Sequence, residues 1–125
     1  KLPASKEQIP VPPLDQRTER GTYTIHLTWS PVAIKAGNNT KFGIIFYDDT
    51  KTKILNDVEY TFSVLDSQGQ LIYGKDNQIA PDGTALQNVF FQKPGPATVR
   101  VLITTAGSAS PSNFVESGEF DMVVQ

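Results

Sequence analysis

Short segments of the sequence alternate strictly between apolar and polar residues, and this period of two constrains the fold more than any other feature. Between residues 22 and 30, the apolar side chains Tyr23, Ile25, Leu27 and Trp29 alternate with threonine, serine and the only histidine. Successive side chains of a strand point to opposite faces, so this segment predicts a strand with one buried face. The same period recurs within residues 42–46, 58–64, 99–103 and 120–124.

Turn-forming residues separate these segments at nearly regular spacing. The sequence DSQG at 66–69 predicts a hairpin turn, and further turns fall at Pro81 to Gly83 and at Pro94 to Pro96. No segment shows the 3.6-residue apolar period of a long helix. About seven or eight short strands are therefore predicted, in an all-β, two-layer antiparallel β-sandwich of the immunoglobulin-like kind. An up-and-down β-barrel is the structural alternative.

The beginning of the chain has a different composition. Residues 1–21 contain prolines at positions 3, 10, 12 and 13 and no aromatic residue. Proline fixes φ and lacks an amide donor, so we predict an extended proline-rich arm or linker at 1–21 and a sandwich domain at 22–125. Ile9, Val11 and Leu14 form a small apolar cluster in the arm. Two readings are open: a solvated linker, or an arm that docks these side chains on its own sheet or on a neighbour's.

The charge balance excludes several classes of partner. Eleven Lys and Arg residues oppose thirteen Asp and Glu residues, for a net charge of -2. A nucleic-acid-binding surface requires a basic face, so we expect no nucleic-acid partner.

No apolar run approaches the ~20 residues of a membrane helix, so we expect no membrane span. The chain starts at Lys1 without an initiator Met, and we expect a mature form from which any targeting segment has been removed.

Few residues of the sequence are candidates for catalysis or metal binding. The chain has no cysteine and one histidine, His26, so thiol nucleophiles, zinc–thiolate sites and copper sites of the Cys-and-His type are excluded. His26 has the parity of the polar residues of its strand, which places it outside the core and makes it a poor catalytic base. We therefore expect no enzyme activity, no resident cofactor and no metal centre built on His26.

Two weaker site signals remain. Carboxylates flank one connection between predicted strands, and they are candidate calcium ligands: Asp48, Asp49, Asp57 and Glu59. Asp76, Asn77 and Asp82 flank another connection in the same way. Asn38-Asn39-Thr40 matches the N-x-[ST] sequon in a predicted turn, which makes Asn38 a candidate glycosylation site.

Three runs of the sequence resemble a known group of domains. The runs are AGNNTKFGIIFYDD, NDVEYTFSVLDSQGQLIY and FFQKPGPATVRVLIT. They are similar to the immunoglobulin-like modules of prokaryotic secreted and cell-envelope proteins, YtkA-like domains included. The shared features are a small residue plus glycine before the second strand, a D-x-x-G hairpin, and K-P-G before a closing strand. This resemblance covers residues 30–105 and implies the sandwich fold and an extracellular or cell-surface location.

Because nucleic-acid binding, a membrane span and catalysis are not expected, a protein-binding role remains. We predict a non-catalytic structural or assembly module of the cell surface, which associates with itself or with a neighbouring envelope protein through sheet edges and the arm. A filament or surface-layer subunit would be of this kind. The alternative is a ligand-binding accessory domain of a secreted protein, in which Tyr47, Tyr73 and Phe90 would form a platform for carbohydrate or another envelope component.

Overall fold

The computed structural model describes residues 9–107 and 115–125, and all regular secondary structure in these residues is β. Eight strands follow one another along the chain: β1 (Leu14–Arg17), β2 (Tyr23–Ser30), β3 (Asn38–Asp48), β4 (Val58–Asp66), β5 (Leu71–Ala80), β6 (Thr84–Phe91), β7 (Gly95–Ala106) and β8 (Glu116–Val124). In the part of the chain that is described, no helix is long and apolar enough to cross a membrane.

The strands form two antiparallel sheets of four. One sheet has the order β1-β2-β3-β6 and the other has the order β5-β4-β7-β8. The pairing of β3 with β6 and of β4 with β7 joins strands that are not consecutive, as in Greek-key sandwiches. The prediction of an all-β, two-layer antiparallel sandwich is confirmed, and the sheets have open edges rather than the closed ring of a barrel.

The core lies between the sheets and follows the predicted alternation. Tyr23, Ile25, Leu27 and Trp29 of β2 are all buried, and every second residue of β4 from Val58 to Val64 is buried as well. Aromatic rings of the two sheets meet in the centre of the core, where the centroids of Phe46 and Tyr60 are 5.1 Å apart and those of Phe42 and Phe62 are 5.8 Å apart.

Some elements extend beyond the sequence-based bounds. β5 continues for several residues past the predicted segment QLIYG, to Ala80. Asn38, which was predicted to lie in a turn, is the first residue of β3. Leu14 to Arg17, inside the predicted arm, form β1 and pair with β2 in register Leu14↔Leu27 to Arg17↔Thr24. Most of the loop predicted at 106–113 lies outside the described residues.

Candidate functional site

The only histidine belongs to a polar cluster on the outer face of the β1-β2-β3-β6 sheet. Its Nδ1 lies 2.7 Å from Oδ1 of Asp15 on β1, and the Nζ of Lys51 donates to the other carboxylate oxygen of Asp15 at 2.8 Å. The ring of Tyr47 meets the imidazole edge-on and lies beneath the Lys51 ammonium. The cluster therefore links three successive parts of one sheet face.

The electrostatics of this cluster are those of an ion-pair network. Partial burial raises the pKa of Asp15, but hydrogen bonds from Lys51 and His26 and their charges outweigh that effect and bring this pKa below its ordinary value. The Asp15 carboxylate raises the pKa of Lys51 in return. Within residues 9–107 and 115–125, no group of three or more His, Asp or Glu side chains could hold a metal ion.

A buried carboxylate ties the β1–β2 hairpin to the opposite sheet. Glu116, at the start of β8, is fully buried and accepts hydrogen bonds from Thr18 Oγ1 at 2.7 Å and Thr22 Oγ1 at 2.6 Å. The amide of Ser117 donates to a carboxylate oxygen of Glu19. These contacts cover the side of the sandwich where β1 and β8 meet.

The calcium candidates serve local backbone roles and do not converge. Asp48 accepts hydrogen bonds from the amide and the hydroxyl of Thr52, which lower the pKa of this carboxyl. Asp49 is exposed, Asp57 sits in a turn with φ of 51°, and Glu59 is half-buried on β4. Calcium binding by these four residues stays a prediction, and so does glycosylation of Asn38, whose side chain is exposed.

The apolar residues of the arm differ in their surroundings. Leu14 is half-buried and packs against the core, whereas Ile9 and Val11 are exposed. β1 thus occupies the edge of its own sheet, beside β2, and docking of Ile9 or Val11 on a neighbouring molecule stays a prediction.

The edge strand β5 has features that hinder pairing with another chain. Its register with β4 shifts twice, between Tyr60 and Phe62 and between Val64 and Leu65, which marks two bulges. Charged Lys75 and Asp76 and the positive φ of Asn77 fall at the first of them. Bulges and charges are the usual protection of an edge strand, because they bend it and make added pairing unfavourable.

Two other edge strands carry similar protection. β1 is only four residues long and contains Asp15 and Arg17. β8 carries Glu119 and Asp121 on its exposed face, and its first residues lie against the β1–β2 hairpin. Short length, charge and coverage each reduce the tendency of an edge to add a strand.

The fourth edge strand, β6, lacks all of these features. Its sequence TALQNVFF contains no charge, proline or glycine, and its register with β3 runs without a shift from Phe91 to Thr84. Leu86 and Phe90 are exposed by 66% and 49%, although both are large and apolar. In the described part of the chain, β6 pairs with β3 alone. An uncharged, regular and apolar edge of this kind is a surface for strand addition.

A groove with a mixed polar and apolar lining continues from the end of β6. It has a volume of about 440 Å³ and lies between the β4–β5 turn and the β6–β7 turn, with Leu71, Ile72, Phe90, Pro94 and Pro96 among its lining residues. The predicted aromatic platform is not assembled in the groove. Tyr73 is half-buried against Phe62, and Tyr47 lies at the other end of β3 from the residue that pairs with Phe90.

Fold and topology define the chain as a two-sheet β-sandwich of the immunoglobulin-like class. Among solved structures, it is similar to the soluble domain of PmoD from Methylocystis sp. (Rockwell), with 14% identity, 87% of this chain and 97% of that chain covered, and a TM-score of 0.65. It also superposes on CopC from Methylosinus trichosporium OB3b, with 15% identity, coverage of 88% and 93%, and a TM-score of 0.47.

At this level of identity, the likeness to PmoD extends to the fold alone. No protein-family model matches the sequence, and no curated protein matches it either. The narrower assignment to YtkA-like domains therefore stays a prediction.

The open edge of β6 was not predicted from the sequence. Which strands form edges depends on strand order, and strand order depends on pairing between distant segments. The one available signal was the absence of charge, proline and glycine over the eight residues of TALQNVFF, a composition that protected edges avoid.

Proposed function

We propose that the chain is a non-catalytic accessory module of an extracytoplasmic protein and that it binds protein through the β6 edge. The β-sandwich class and the resemblance to secreted and envelope modules support the location. The β6 edge supports the mode of binding, since an extended segment can add to it by main-chain hydrogen bonds while pockets hold alternate side chains.

One observation supports the proposal most strongly: among the described residues, the outer edge of β6 is unpaired and unprotected, whereas β1, β5 and β8 are protected. Proteins usually protect sheet edges because an unprotected one pairs with other chains. An edge that combines regular register with exposed Leu86 and Phe90 is thus best explained by a partner that covers it. The arm is a weaker candidate for association, because Leu14 to Arg17 already pair with β2 of the same chain.

A non-catalytic role agrees with the side chains that the structure brings together. The imidazole of His26 is engaged by Asp15, which Lys51 also contacts, and no serine, threonine or cysteine nucleophile is seen in contact with this pair among the described residues. Nucleophilic catalysis needs such a partner within hydrogen-bond reach of the base.

Panning a phage-displayed library of linear peptides on the immobilised protein tests the proposal. We expect enrichment of peptides with alternating apolar residues, and we expect their binding to fall at least about tenfold in Leu86→Lys, because the lysine disrupts an apolar cross-strand contact. Leu71→Lys on β5 is the matched control, since Leu71 is 64% exposed and Leu86 is 66% exposed. Absence of enrichment, or peptides that bind Leu86→Lys as well as the wild type, would contradict the proposal.

The groove beside Phe90 supports a second candidate function, binding of a small apolar or carbohydrate ligand. Its lining combines apolar side chains with the polar Gln68, Gln92 and Lys93. This function predicts hits on a glycan or lipid array that are lost in Leu71→Lys and Ile72→Lys but retained in Leu86→Lys. Peptide binding should therefore be weakened in Leu86→Lys and retained in Leu71→Lys. Binding of a small ligand in the groove should be lost in Leu71→Lys and retained in Leu86→Lys.

A further inference from the structure

We infer that the partner of the β6 edge is β6 of a second copy of this chain, paired antiparallel about a two-fold axis through Asn88. The inference rests on the proposed function and goes beyond it, because it names the partner and the register. Three properties of β6 support it: the direction of its backbone groups, the order of its outward side chains, and the charges at its two ends.

The direction of the backbone groups follows from one hydrogen bond at the start of β6. The amide of Phe46 donates to the carbonyl of Gly83 at 2.9 Å, and these residues continue the register in which Ile45 faces Thr84. In an antiparallel pair, hydrogen-bonded and non-hydrogen-bonded positions alternate. The odd-numbered residues from 83 to 91 therefore direct their amides and carbonyls toward β3, and the even-numbered residues direct theirs toward the open edge.

Three residues of β6 are left with both backbone groups available at this edge. The outward amide of Thr84 is already bonded to Oδ1 of Asp82 at 3.1 Å. Leu86, Asn88 and Phe90 have no such contact within the described residues, and they are also the residues whose side chains lie outside the core.

Only one two-fold register pairs all three of these residues. When Asn88 faces Asn88 of the second copy, Leu86 faces Phe90 of that copy at both ends of the ladder. Each chain then donates three amides and accepts at three carbonyls, with facing Cα atoms about 5.5 Å apart. A shift of the axis by one residue leaves either Phe90 or Leu86 without a partner among the three.

The outward side chains are complementary in the same register. Each Leu86 packs beside a Phe90 ring, and an aromatic–aliphatic cross-strand pair stabilises an antiparallel ladder. The two Asn88 amides face one another between these apolar pairs, where each can donate to the other. No charge lies in the contact, because β6 contains none.

Charges at the ends of β6 favour the same arrangement. Asp82 lies just before the strand and Lys93 lies just after it. In the two-fold register, Asp82 of one copy stands next to Lys93 of the other, and this occurs twice. Lys41, which pairs with Asn88 on β3, lies three strand spacings from its counterpart, about 14 Å. This exceeds the Debye length of about 8 Å, so their repulsion is screened.

Sedimentation velocity of the full chain over a wide concentration range tests the inference. We expect a concentration-dependent dimer for the wild type and at least tenfold weaker association for Leu86→Lys, since each dimer contains two Leu86–Phe90 pairs. Association should be unchanged for Ile79→Lys on β5, because Ile79 is 64% exposed and lies outside the groove that Phe90 lines. Circular dichroism and thermal melting establish that both variants are folded. A monomer at all concentrations, or equal dimerisation of both variants, would overturn the inference.

Cross-linking tests the register separately. The chain has no cysteine, so Asn88→Cys introduces a single thiol, and Ile79→Cys on β5 is the exposed control. A short bismaleimide should join Asn88→Cys into dimers and leave Ile79→Cys monomeric, and equal yields would overturn the register. If the wild type is monomeric but still captures alternating apolar peptides that Leu86→Lys does not, this inference fails and the proposed function stands. A wild type that is monomeric and also captures no such peptides would refute both this inference and the proposed function.

Discussion

The side-chain amide of Gln87 on β6 donates to the hydroxyl oxygen of Tyr60 on β4, 3.0 Å away in the facing sheet. The same amide donates to Oε1 of Gln78, and its carbonyl accepts from the Tyr73 hydroxyl at 2.8 Å. Gln87 is thus a buried connection between the two sheets. It fixes the inward side of β6 and thereby turns Leu86 and Asn88 outward.

Replacing Gln87 should test this connection. In Gln87→Ala, the hydroxyls of Tyr60 and Tyr73 lose their partner inside the sandwich, and we expect the free energy of unfolding to fall by about 2–4 kcal/mol. Urea unfolding followed by fluorescence measures the change. Gln92→Ala, at an exposed position just beyond β6, serves as the control. Equal stability of the two variants would contradict the role of Gln87.

Replacing Thr40 should raise the free energy of unfolding, whereas replacing Gln87 should lower it. Its side chain is buried, and its hydroxyl is the one buried side-chain polar atom without a hydrogen-bond partner among the described residues. Thr40→Val keeps the shape and removes this hydroxyl, so stability should rise by about 1 kcal/mol. Thr24→Val is the matched control: Thr24 is also buried, but its hydroxyl donates to the carbonyl of Asp49, so stability should fall. Calorimetry that finds both variants destabilised would refute the prediction.

The β1–β2 hairpin packs against β8, and its contribution to stability should depend on the hydroxyls of Thr18 and Thr22. Thr18→Val removes a hydrogen bond to the buried carboxylate of Glu116, and bonds to charged groups contribute about 1.5–3 kcal/mol. Chemical unfolding should show a loss of this size. Thr50→Val is the control, because Thr50 lies in an exposed turn. An indistinguishable midpoint for Thr18→Val and the wild type would mean that Glu116 does not need this donor.

Acid should weaken the attachment of β1. The pKa of Asp15 is lowered in the folded protein, since burial is outweighed by the hydrogen bonds from Lys51 and His26. A lowered pKa stabilises the fold above the ordinary value of 3.8, and this contribution is lost as the pH falls through the folded-state pKa. The cluster is exposed and screened by solvent, so the contribution stays below about 1 kcal/mol.

Asp15→Asn measures that contribution directly. Its melting temperature should lie slightly below that of the wild type at neutral pH, and the difference should vanish in strongly acidic buffer. Asp76→Asn on the exposed part of β5 controls for the change in net charge. A difference that persists unchanged in acid would show that the Asp15 charge is not its source.

Much of this fold follows from local pattern, and the reasons are visible in particular strands. β2 and β4 alternate without interruption, and both segments were predicted as strands from that alternation. β1 was not predicted, because LDQR has a single apolar residue and follows two prolines. Its pairing depends on Thr18 and Glu19, whose partners Glu116 and Ser117 are 98 residues away in the sequence.

Amide hydrogen exchange of β6, followed by NMR at low and high protein concentration, is the most direct test of pairing between the β6 strands of two copies. We predict that the amides of Leu86, Asn88 and Phe90 exchange rapidly in dilute protein and become protected as concentration rises. The amides of Ala85, Gln87 and Val89, which point toward β3, should be protected throughout. Rapid exchange of Leu86, Asn88 and Phe90 at every concentration would contradict an edge that pairs with a second copy.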